Sequence, residues 1–342
     1  MASPYLGQLL SESIADHIGA TPLVQLNRLP ASFGIKAVVC AKLEYFNAGG
    51  SVKDRIAKRM VEQAEKDGLI KPGDTLIEAS SGNTGIAIAL MAATKGYKCI
   101  ITLSEKMSLE KEQILNTLGA KVVRTPAGVP IESPDSILSV ARRLNKEIPN
   151  SWILDQYNNP ENPRAHEYGT AEEIWHQTQG KVDVILAGAG TGGTVTGLTR
   201  GLKKKSQDVF VVGVDPAGSI LAHPETLNEK KSEYRVEGIG YDFVPGVLEQ
   251  RTPDLWVKTT DQDSFQMARK LVREEGLLCG GSSGAVFAGL VQFLQLRPDF
   301  NVEDKTIVLV FADSLRNYLT KFADDAWMEQ HGFAINAVDS GA

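Results

Sequence analysis

The sequence predicts an α/β protein with two lobes, each containing a mostly parallel sheet flanked by helices. Short β-rich runs alternate with helix-like stretches along most of the chain, which is the pattern of parallel strands joined by crossover helices. The runs are apolar throughout, as expected for strands that are covered by helices on both faces. They are also too many for one small sheet in a chain of 342 residues, so we expect two lobes that meet near residue 150.

The predicted strands are these apolar runs, and several of them end in a loop rich in glycine and hydroxyl residues. In chain order they are AVVCAKLEY (37–45), DTLIEA (74–79), KCIITL (98–103), KVVRT (121–125), WILDQY (152–157), VDVILA (182–187), VFVVGVD (209–215) and TIVLVFAD (306–313). The predicted helices lie between them, at 51–68, 84–96, 106–118, 134–147, 164–178, 194–204, 262–275 and 284–296. Ligands in such folds bind where strands end and helices begin, so these loops carry the functional prediction.

Composition argues against several classes of function. A formal net charge of −6 gives no general attraction to nucleic acid or to an anionic membrane. The five histidines are dispersed without metal-ligand spacing, so no metal site is predicted. Cys40, Cys99 and Cys279 form no C-x-x-C pair, and we interpret them as buried free thiols in a reducing compartment. The N-terminal stretch lacks the pattern of a secretory signal and no run approaches a membrane span, so we expect a cytoplasmic protein.

The loop GAGTGGT (188–194) supports a first hypothesis. It matches G-x-G-x-x-G through Gly188, Gly190 and Gly193, between a predicted strand and a predicted helix. Asp215 follows at about the spacing of an acidic residue that binds a ribose hydroxyl. Taken alone, this loop indicates an enzyme that uses a nicotinamide dinucleotide.

Three further loops displace that hypothesis. NAGGSVKDR (47–55) places Lys53 early in a helix, where its pKa would be depressed and its amine could form an imine, unless it only pairs with Asp54. ASSGNTG (79–85) has more free amides and hydroxyls than a helix cap needs, which suits a carboxylate or phosphate. CGGSSGA (279–285) repeats that composition, although a tight turn is an equal reading. Pyridoxal 5′-phosphate, with a phosphate, an aldehyde and a ring nitrogen, would use all four loops together with an amino-acid substrate.

These loops carry a resemblance to a known family. GGSVKDR, SSGNTG, GAGTGGT and GGSSGA, in that order and at these separations, resemble the fold-type II pyridoxal-phosphate enzymes of β-replacement, which are tryptophan synthase β-like and include the cysteine synthase and cystathionine β-synthase family. The resemblance runs from 18–24 to about residue 328. Within the family, the more similar branch is the catalytic core of cystathionine β-synthase, through the segments 105–111, 148–159, 215–222, 236–245 and 313–322. Nothing before residue 18 resembles the haem-binding extension of animal enzymes, and nothing after residue 330 could hold their regulatory domain pair, so control by haem or adenosylmethionine through those parts is not expected.

The resemblance implies a role for individual residues around the cofactor. Lys53 would be the catalytic residue and would bond the cofactor's aldehyde, while Asn83 would donate a hydrogen bond to its 3′ oxygen. Ser282 would face the pyridine nitrogen. The cradle for the phosphate would be Gly190, Thr191, Gly192, Gly193 and Thr194. The substrate carboxylate would be held by Ser80, Ser81, Thr84 and Gln156, and Tyr241 would lie at the mouth where the second substrate enters.

The resemblance also implies how the lobes are divided. A smaller, mobile lobe over 40–150 would carry the Lys53 loop and the substrate loop. The larger lobe, 1–39 with 151–328, would carry the phosphate loop, and 329–342 would be a disordered tail. The family further implies a homodimer.

The implied reaction is a lyase-type β-replacement, in which L-serine and L-homocysteine give cystathionine and water through an aminoacrylate intermediate. Two alternatives stay open: a cysteine synthase that uses O-acetylserine and sulfide or a specialised enzyme for another thiol, and a non-catalytic binding protein on the same fold. Four positions depart from the family's usual proline, namely Ala48, Ala79, Ser104 and Ala312. Because these positions flank the substrate loops, they leave the choice of thiol and leaving group open.

Overall fold

A computed structural model describes residues 10–80, 82–105, 109–127, 129–130, 132–229 and 232–335. The strands are β1 Leu23–Gln25, β2 Val38–Leu43, β3 Thr75–Ala79, β4 Lys98–Ser104, β5 Lys121–Thr125, β6 Ser151–Ile153, β7 Val184–Gly188, β8 Phe210–Pro216, β9 Leu255–Thr259 and β10 Thr306–Phe311. The α-helices are α1 Leu29–Ser32, α2 Lys53–Lys66, α3 Asn83–Lys95, α4 Leu109–Thr117, α5 Ile137–Glu147, α6 Glu161–Ala165, α7 Ala171–Gln177, α8 Gly193–Lys205, α9 Asp261–Glu275, α10 Gly281–Leu296 and α11 Asp325–Gln330.

Two sheets form the two lobes. The larger has the strand order β1-β2-β10-β7-β8-β9 and the smaller has the order β5-β4-β3-β6. Every pairing is parallel except that of β1 with β2. Most strands are buried along their length because helices cover both faces, as the apolar runs predicted. The predicted fold class is therefore confirmed.

The division between the sheets differs from the predicted boundaries of 40 and 150. Strand β2 belongs to the larger sheet, since it pairs with β10 along its whole length, from Val38 opposite Thr306 to Leu43 opposite Phe311. Strand β6 belongs to the smaller sheet and pairs with Thr75–Ile77 of β3. Pairing with strands that are distant in the sequence therefore decides to which sheet β2 and β6 belong. Two strands were not predicted: β1, which is only three residues long, and β9, whose LWVKT run follows a stretch without strand pattern.

The helix predicted over 164–178 is interrupted. It consists of α6, a π-helical turn over His166–Thr170, and α7. Helix α8 packs closely on this turn, because a Cβ at Gly197 would collide with the Pro163 carbonyl and a Cβ at Gly201 with Ala171. Two glycines in the helix interior, which cost stability by themselves, thus allow a close helix crossing. This crossing positions the first turn of α8 over His166.

The end of the chain was predicted to be a tail from residue 329. Helix α11 continues to Gln330, and the Phe333 ring lies 5.2 Å from Phe265 and 5.9 Å from Trp327, centroid to centroid. Residues 336–342 lie outside the described part of the chain. None of the helices within the described ranges is long and apolar enough to cross a bilayer.

Candidate active site

The four loops singled out by the sequence meet at one place between the two sheets. A cavity of about 820 Å³ lies there, and its lining includes the predicted residues Lys53, Ser80, Asn83, Thr84, Gln156, Thr191 and Tyr241. A smaller pocket continues from it beneath Lys53, lined by Gly190, Thr191, Gly192, Thr194 and Ser282. Gly193 is the first residue of α8, directly beside this pocket. Ser81 lies outside the described residues.

Lys53 is the first residue of α2, and it lines both pockets. Its loop is held by the backbone, because Val52 N donates to the carbonyl of Ala312 at 2.8 Å. Asp54 points back into the loop and accepts from Gly49 N at 2.6 Å. Burial lowers the pKa of Lys53 to about 8, while the negative charge of Asp313 opposes the shift. The lowered pKa increases the share of neutral amine near neutral pH, which an imine-forming lysine requires.

The glycine loop before α8 forms a cradle that has no room for side chains. A Cβ at Gly190 would collide with the Gly238 carbonyl and a Cβ at Gly193 with Asn162, while Gly192 adopts a left-handed φ of 85°. The first turn of a helix leaves backbone N–H groups without partners in the helix, and its dipole favours an anion. The cradle therefore fits a phosphate group placed next to Lys53.

His166 supports this cradle from below and was not predicted. Its Nε2 lies 3.2 Å from the Thr194 hydroxyl and its Nδ1 lies 2.9 Å from that of Thr170. Burial, together with the charges of Arg55 and Lys53, holds its pKa well below the ordinary histidine value. The imidazole is therefore neutral, and it acts as a hydrogen-bonding support for Thr194. In the sequence, only the four-residue spacing of Gly197 and Gly201 indicated the close helix packing that brings His166 next to Thr194.

The substrate loop is held by a chain of hydrogen bonds. The Ser80 hydroxyl accepts from Gly82 N at 3.2 Å and Gly85 N at 3.0 Å, so it organises the start of α3. Thr84 donates to Gln156 Oε1 at 2.8 Å, and Gln156 Nε2 donates to the Ala79 carbonyl at 3.1 Å. Three of the predicted carboxylate-binding residues are therefore in one network facing the cavity.

Asn83 is held by residues of the larger lobe. Its Nδ2 donates to Asp313 Oδ2 at 2.6 Å, and its Oδ1 accepts from Asn317 Nδ2 at 3.1 Å. The same Asp313 oxygen accepts from the Tyr318 hydroxyl at 2.5 Å. Asp313 and Tyr318 lie in the segment 313–322, which the sequence linked to the family without a role for either.

A charged cluster lines one wall of the cavity and also was not predicted. Lys111 Nζ lies 2.6 Å from Glu237 Oε2 and 5.2 Å from the centre of the Tyr318 ring, and Lys321 bonds the other oxygen of Glu237. Burial acts to raise the pKa of Glu237, but the two lysines hold it below its ordinary value. Two cations and one carboxylate give this wall a net positive charge.

Tyr241 belongs to an aromatic group on another wall. Its hydroxyl lies 3.5 Å from that of Tyr157, and its ring centre lies 5.1 Å from Phe243. Its backbone is held by Ser219, whose hydroxyl donates to the Tyr241 carbonyl at 3.1 Å. Burial raises the pKa of Tyr241, so its hydroxyl is protonated at neutral pH.

Asp215 does not bind a ribose, contrary to the first hypothesis from the glycine loop. Its Oδ2 lies 2.6 Å from Lys258 Nζ and accepts from Ala222 N at 3.1 Å, and the side chain is fully buried. It holds the loop after β8. Among the described residues no group of acidic, histidine or cysteine side chains could hold a metal, and the three cysteines are free thiols.

Comparison with known proteins agrees with this geometry. The family model of pyridoxal-phosphate dependent enzymes matches residues 14–313, so the chain belongs to that family and pyridoxal phosphate is its cofactor. This confirms the predicted family and cofactor and excludes the nicotinamide hypothesis.

Individual relatives have more specific names than the family model. Curated proteins named cystathionine beta-synthase from Rattus norvegicus and Dictyostelium discoideum are 55% and 54% identical, over 92% and 95% of this chain and 56% and 64% of their own length. The chain thus spans about three fifths of the curated relatives it matches. A solved structure, the O-acetylserine dependent cystathionine beta-synthase from Helicobacter pylori, has a TM-score of 0.83 at 34% identity, over 92% of this chain and 99% of that one.

Proposed function

We propose that the chain catalyses the condensation of L-serine with L-homocysteine to cystathionine and water. The observation that carries this proposal is the cavity in which Lys53 lies between the glycine cradle and the network around Gln156. The curated relatives named cystathionine beta-synthase, at 51–55% identity over 92–97% of the chain, support the choice of substrates.

The cofactor would be held at four points. Lys53 would bond its aldehyde carbon, and the amides of the cradle would bind its phosphate. Asn83 would bond its 3′ oxygen. Ser282, buried in the first turn of α10 and lining the same pocket, would face the ring nitrogen. When bound, the cofactor supplies an electron sink for breaking bonds at the amino acid's α and β carbons.

The substrate carboxylate would lie against the start of α3. Ser80, Thr84 and Gln156 are buried, Thr84 donates to Gln156, and Ser80 accepts from the backbone of the helix start, which favours a negative charge. We assign Ser81 to the same group from the sequence. This binding would place the α-carbon of serine toward Lys53.

Lys53, released when the amino group of serine takes its place at the cofactor's aldehyde carbon, would then move the protons. Its neutral Nζ removes the α-proton, and the resulting ammonium can protonate the departing β-hydroxyl, which leaves as water. The thiol of homocysteine then gives its proton to the neutral Lys53 amine while its sulfur bonds to the β carbon, and the ammonium formed in this way returns that proton to the α carbon. The pKa of about 8 allows Lys53 to accept and donate a proton near neutral pH.

The second amino acid would enter beside Tyr241. The wall formed by Lys111, Glu237 and Lys321 carries a net positive charge, which suits the carboxylate of a second amino acid better than it suits sulfide. Tyr241 lines the cavity, and its hydroxyl lies 3.5 Å from that of Tyr157.

A second candidate uses O-acetylserine, since the Helicobacter pylori enzyme named above depends on that substrate. Steady-state rates with serine and with O-acetylserine, each crossed with homocysteine and with sulfide, separate the two. We expect the highest kcat/KM for serine with homocysteine, with cystathionine identified by mass spectrometry. Preference for O-acetylserine would transfer the assignment to the second candidate, and no β-replacement with any pair would favour a binding protein.

We also propose that the protein is a cytoplasmic homodimer whose smaller lobe closes over the substrate. The family resemblance supports the dimer and the closure, and three free thiols suit a reducing compartment. Light scattering in solution checks the assembly, where a monomer at micromolar concentration would contradict it.

A further inference from the structure

Asp313 occupies an unusual position next to the proposed cofactor site. It follows β10 and is 1% exposed, and one of its oxygens, Oδ1, is buried with no hydrogen-bond partner among the described residues. Burial raises its pKa, although bonds from Tyr318 and Asn83 oppose that shift. A buried carboxylate with an unsatisfied oxygen costs stability, so it is expected to have a use that compensates.

The hydrogen bond between Asp313 and Asn83 indicates what the buried carboxylate is used for. A carboxylate only accepts hydrogen bonds, so the amide of Asn83 must turn its NH₂ group toward Asp313 and its oxygen away. That oxygen meets the NH₂ group of Asn317 at 3.1 Å. An asparagine side chain can otherwise be rotated by half a turn with little change in shape, which would exchange its donor and acceptor. Asp313 removes this freedom.

The bond also joins the two lobes. Asn83 begins α3 of the smaller lobe, whereas Asp313 and Asn317 belong to the segment after β10 of the larger lobe. Asp313 is additionally the charge that acts on Lys53 and is bridged to the lysine loop, where Ser51 lies opposite it. One side chain therefore controls the orientation of Asn83 and lies next to the loop that carries Lys53.

We infer that Asp313 is a positioning residue, which fixes the amide of Asn83 so that its N–H group, and not its oxygen, serves the 3′ oxygen of pyridoxal phosphate. The inference rests on the assignment of Asn83 proposed above and goes beyond it, because it gives Asp313 an effect on the cofactor through Asn83 in addition to its charge acting on Lys53. An acceptor turned toward an anionic oxygen would repel it, so a freely rotating Asn83 would bind the cofactor less well.

A double-mutant cycle tests the inference. The affinity of the apo-protein for pyridoxal phosphate is measured for wild type, Asn83→Ala, Asp313→Ala and the double variant, with far-UV circular dichroism as a check of folding. We expect each single change to weaken binding about 10- to 150-fold, as for a lost hydrogen bond to a charged group. In the Asn83→Ala background, Asp313→Ala should weaken it by less than about twofold.

Spectroscopy adds a measurement that would not change if Asp313 only stabilised the fold. The pH profile of the visible band of the bound cofactor should shift in Asp313→Ala, and this shift should be smaller once Asn83 is alanine, where only the effect of the Asp313 charge on Lys53 is left to lose. Asp215→Ala is the matched control. It also removes a fully buried aspartate with one unpartnered oxygen, but it bonds to Lys258 and Ala222 and not to Asn83, so its effect should be the same in both backgrounds.

Asp313→Asn is taken through the same cycle and decides the question if the alanine variant does not fold. Its amide can present either end to Asn83, so we expect a smaller effect that again disappears in the Asn83→Ala background. Equal effects of the Asp313 substitutions with and without Asn83 would overturn the inference. A wild-type affinity in Asn83→Ala would instead refute the assignment of Asn83, which distinguishes failure of the proposed site from failure of the inference.

Discussion

Replacement of Gly193 by alanine tests whether the glycine cradle and the substrate loop are one packed unit. A Cβ at Gly193 would overlap Asn162 Oδ1, and it would lie 2.5 Å from Asn162 Cγ. Asn162 is 1% exposed and cannot move into solvent. Its Nδ2 donates to the Gln156 carbonyl at 2.7 Å and to the Thr191 hydroxyl at 3.0 Å, so it joins the two loops. The added methyl group must therefore break these bonds or displace α8.

The expected cost follows from those bonds. Leaving a buried polar group without its partner costs about 1–3 kcal/mol, so the loss of both bonds should lower the free energy of unfolding by about 2–5 kcal/mol. At roughly 2 °C for each kcal/mol in a chain of this size, the melting temperature of the apo-protein should fall by about 5–10 °C. Urea unfolding gives the free energy directly. The affinity for pyridoxal phosphate should fall as well, because the cradle amides move.

A second substitution identifies the cause. In an Asn162→Ala background the collision is absent, so adding Gly193→Ala should change stability by less than about 0.5 kcal/mol. If Gly193→Ala costs as much in that background as in wild type, the reasoning about Asn162 is refuted, and the cost belongs to the backbone of the helix start.

Three further predictions concern the lysines of the site. Lys53→Ala should abolish the visible absorbance of bound pyridoxal phosphate at its lysine and lower β-replacement by at least ~10²–10⁴-fold, and an unchanged spectrum would reject the assignment. In the apo-protein, the pKa of Lys53 is lower in the folded state than in the unfolded state, so the unfolded state binds more protons above pH 8. The unfavourable contribution of Lys53 to the free energy of unfolding should therefore diminish as the pH rises from about 8 toward the ordinary lysine range. The stability advantage of Lys53→Met over wild type should therefore shrink between pH 7 and 10 in urea unfolding, and a constant difference would contradict the shift. Lys111→Met should raise the pKa of Glu237 and destabilise the fold by about 1–3 kcal/mol, because it removes one of two partners of a buried carboxylate, whereas Lys205→Met, at an exposed pair with Glu172, should cost less than ~0.5 kcal/mol.

The loops could be predicted because their chemistry is local. A glycine at 190 or 193 and the hydroxyls at 80 and 84 each stand directly between a strand and a helix, and that context can be read from neighbouring residues. The structure brings these loops together as the strand order requires. The sheet memberships of β2 and β6 could not be predicted in this way, because a strand's partner is chosen by long-range pairing and leaves no mark on its own residues.

Some site residues were not predicted for the same reason, because their partners are distant in the sequence. Asn83 and Asp313 are 230 positions apart, and Lys111 and Glu237 are 126 apart. In the sequence, Asp313 and Lys111 belong to ordinary polar stretches, and nothing nearby distinguishes a buried carboxylate from an exposed one. Their burial results from the way the segment after β10 lies against the start of α3 and against α4.

By itself, the amino-acid sequence determined the α/β class, the four loops that line the cavity and the lysine at which they meet, since each depends on residue type and short-range spacing. Only the tertiary structure decided which groups orient those loops: the neutral His166 beneath Thr194, the carboxylate of Asp313 against Asn83, and the two lysines around Glu237. The physical reason is that orientation, protonation and charge pairing depend on burial and on distances between side chains, and both are set by packing between the lobes.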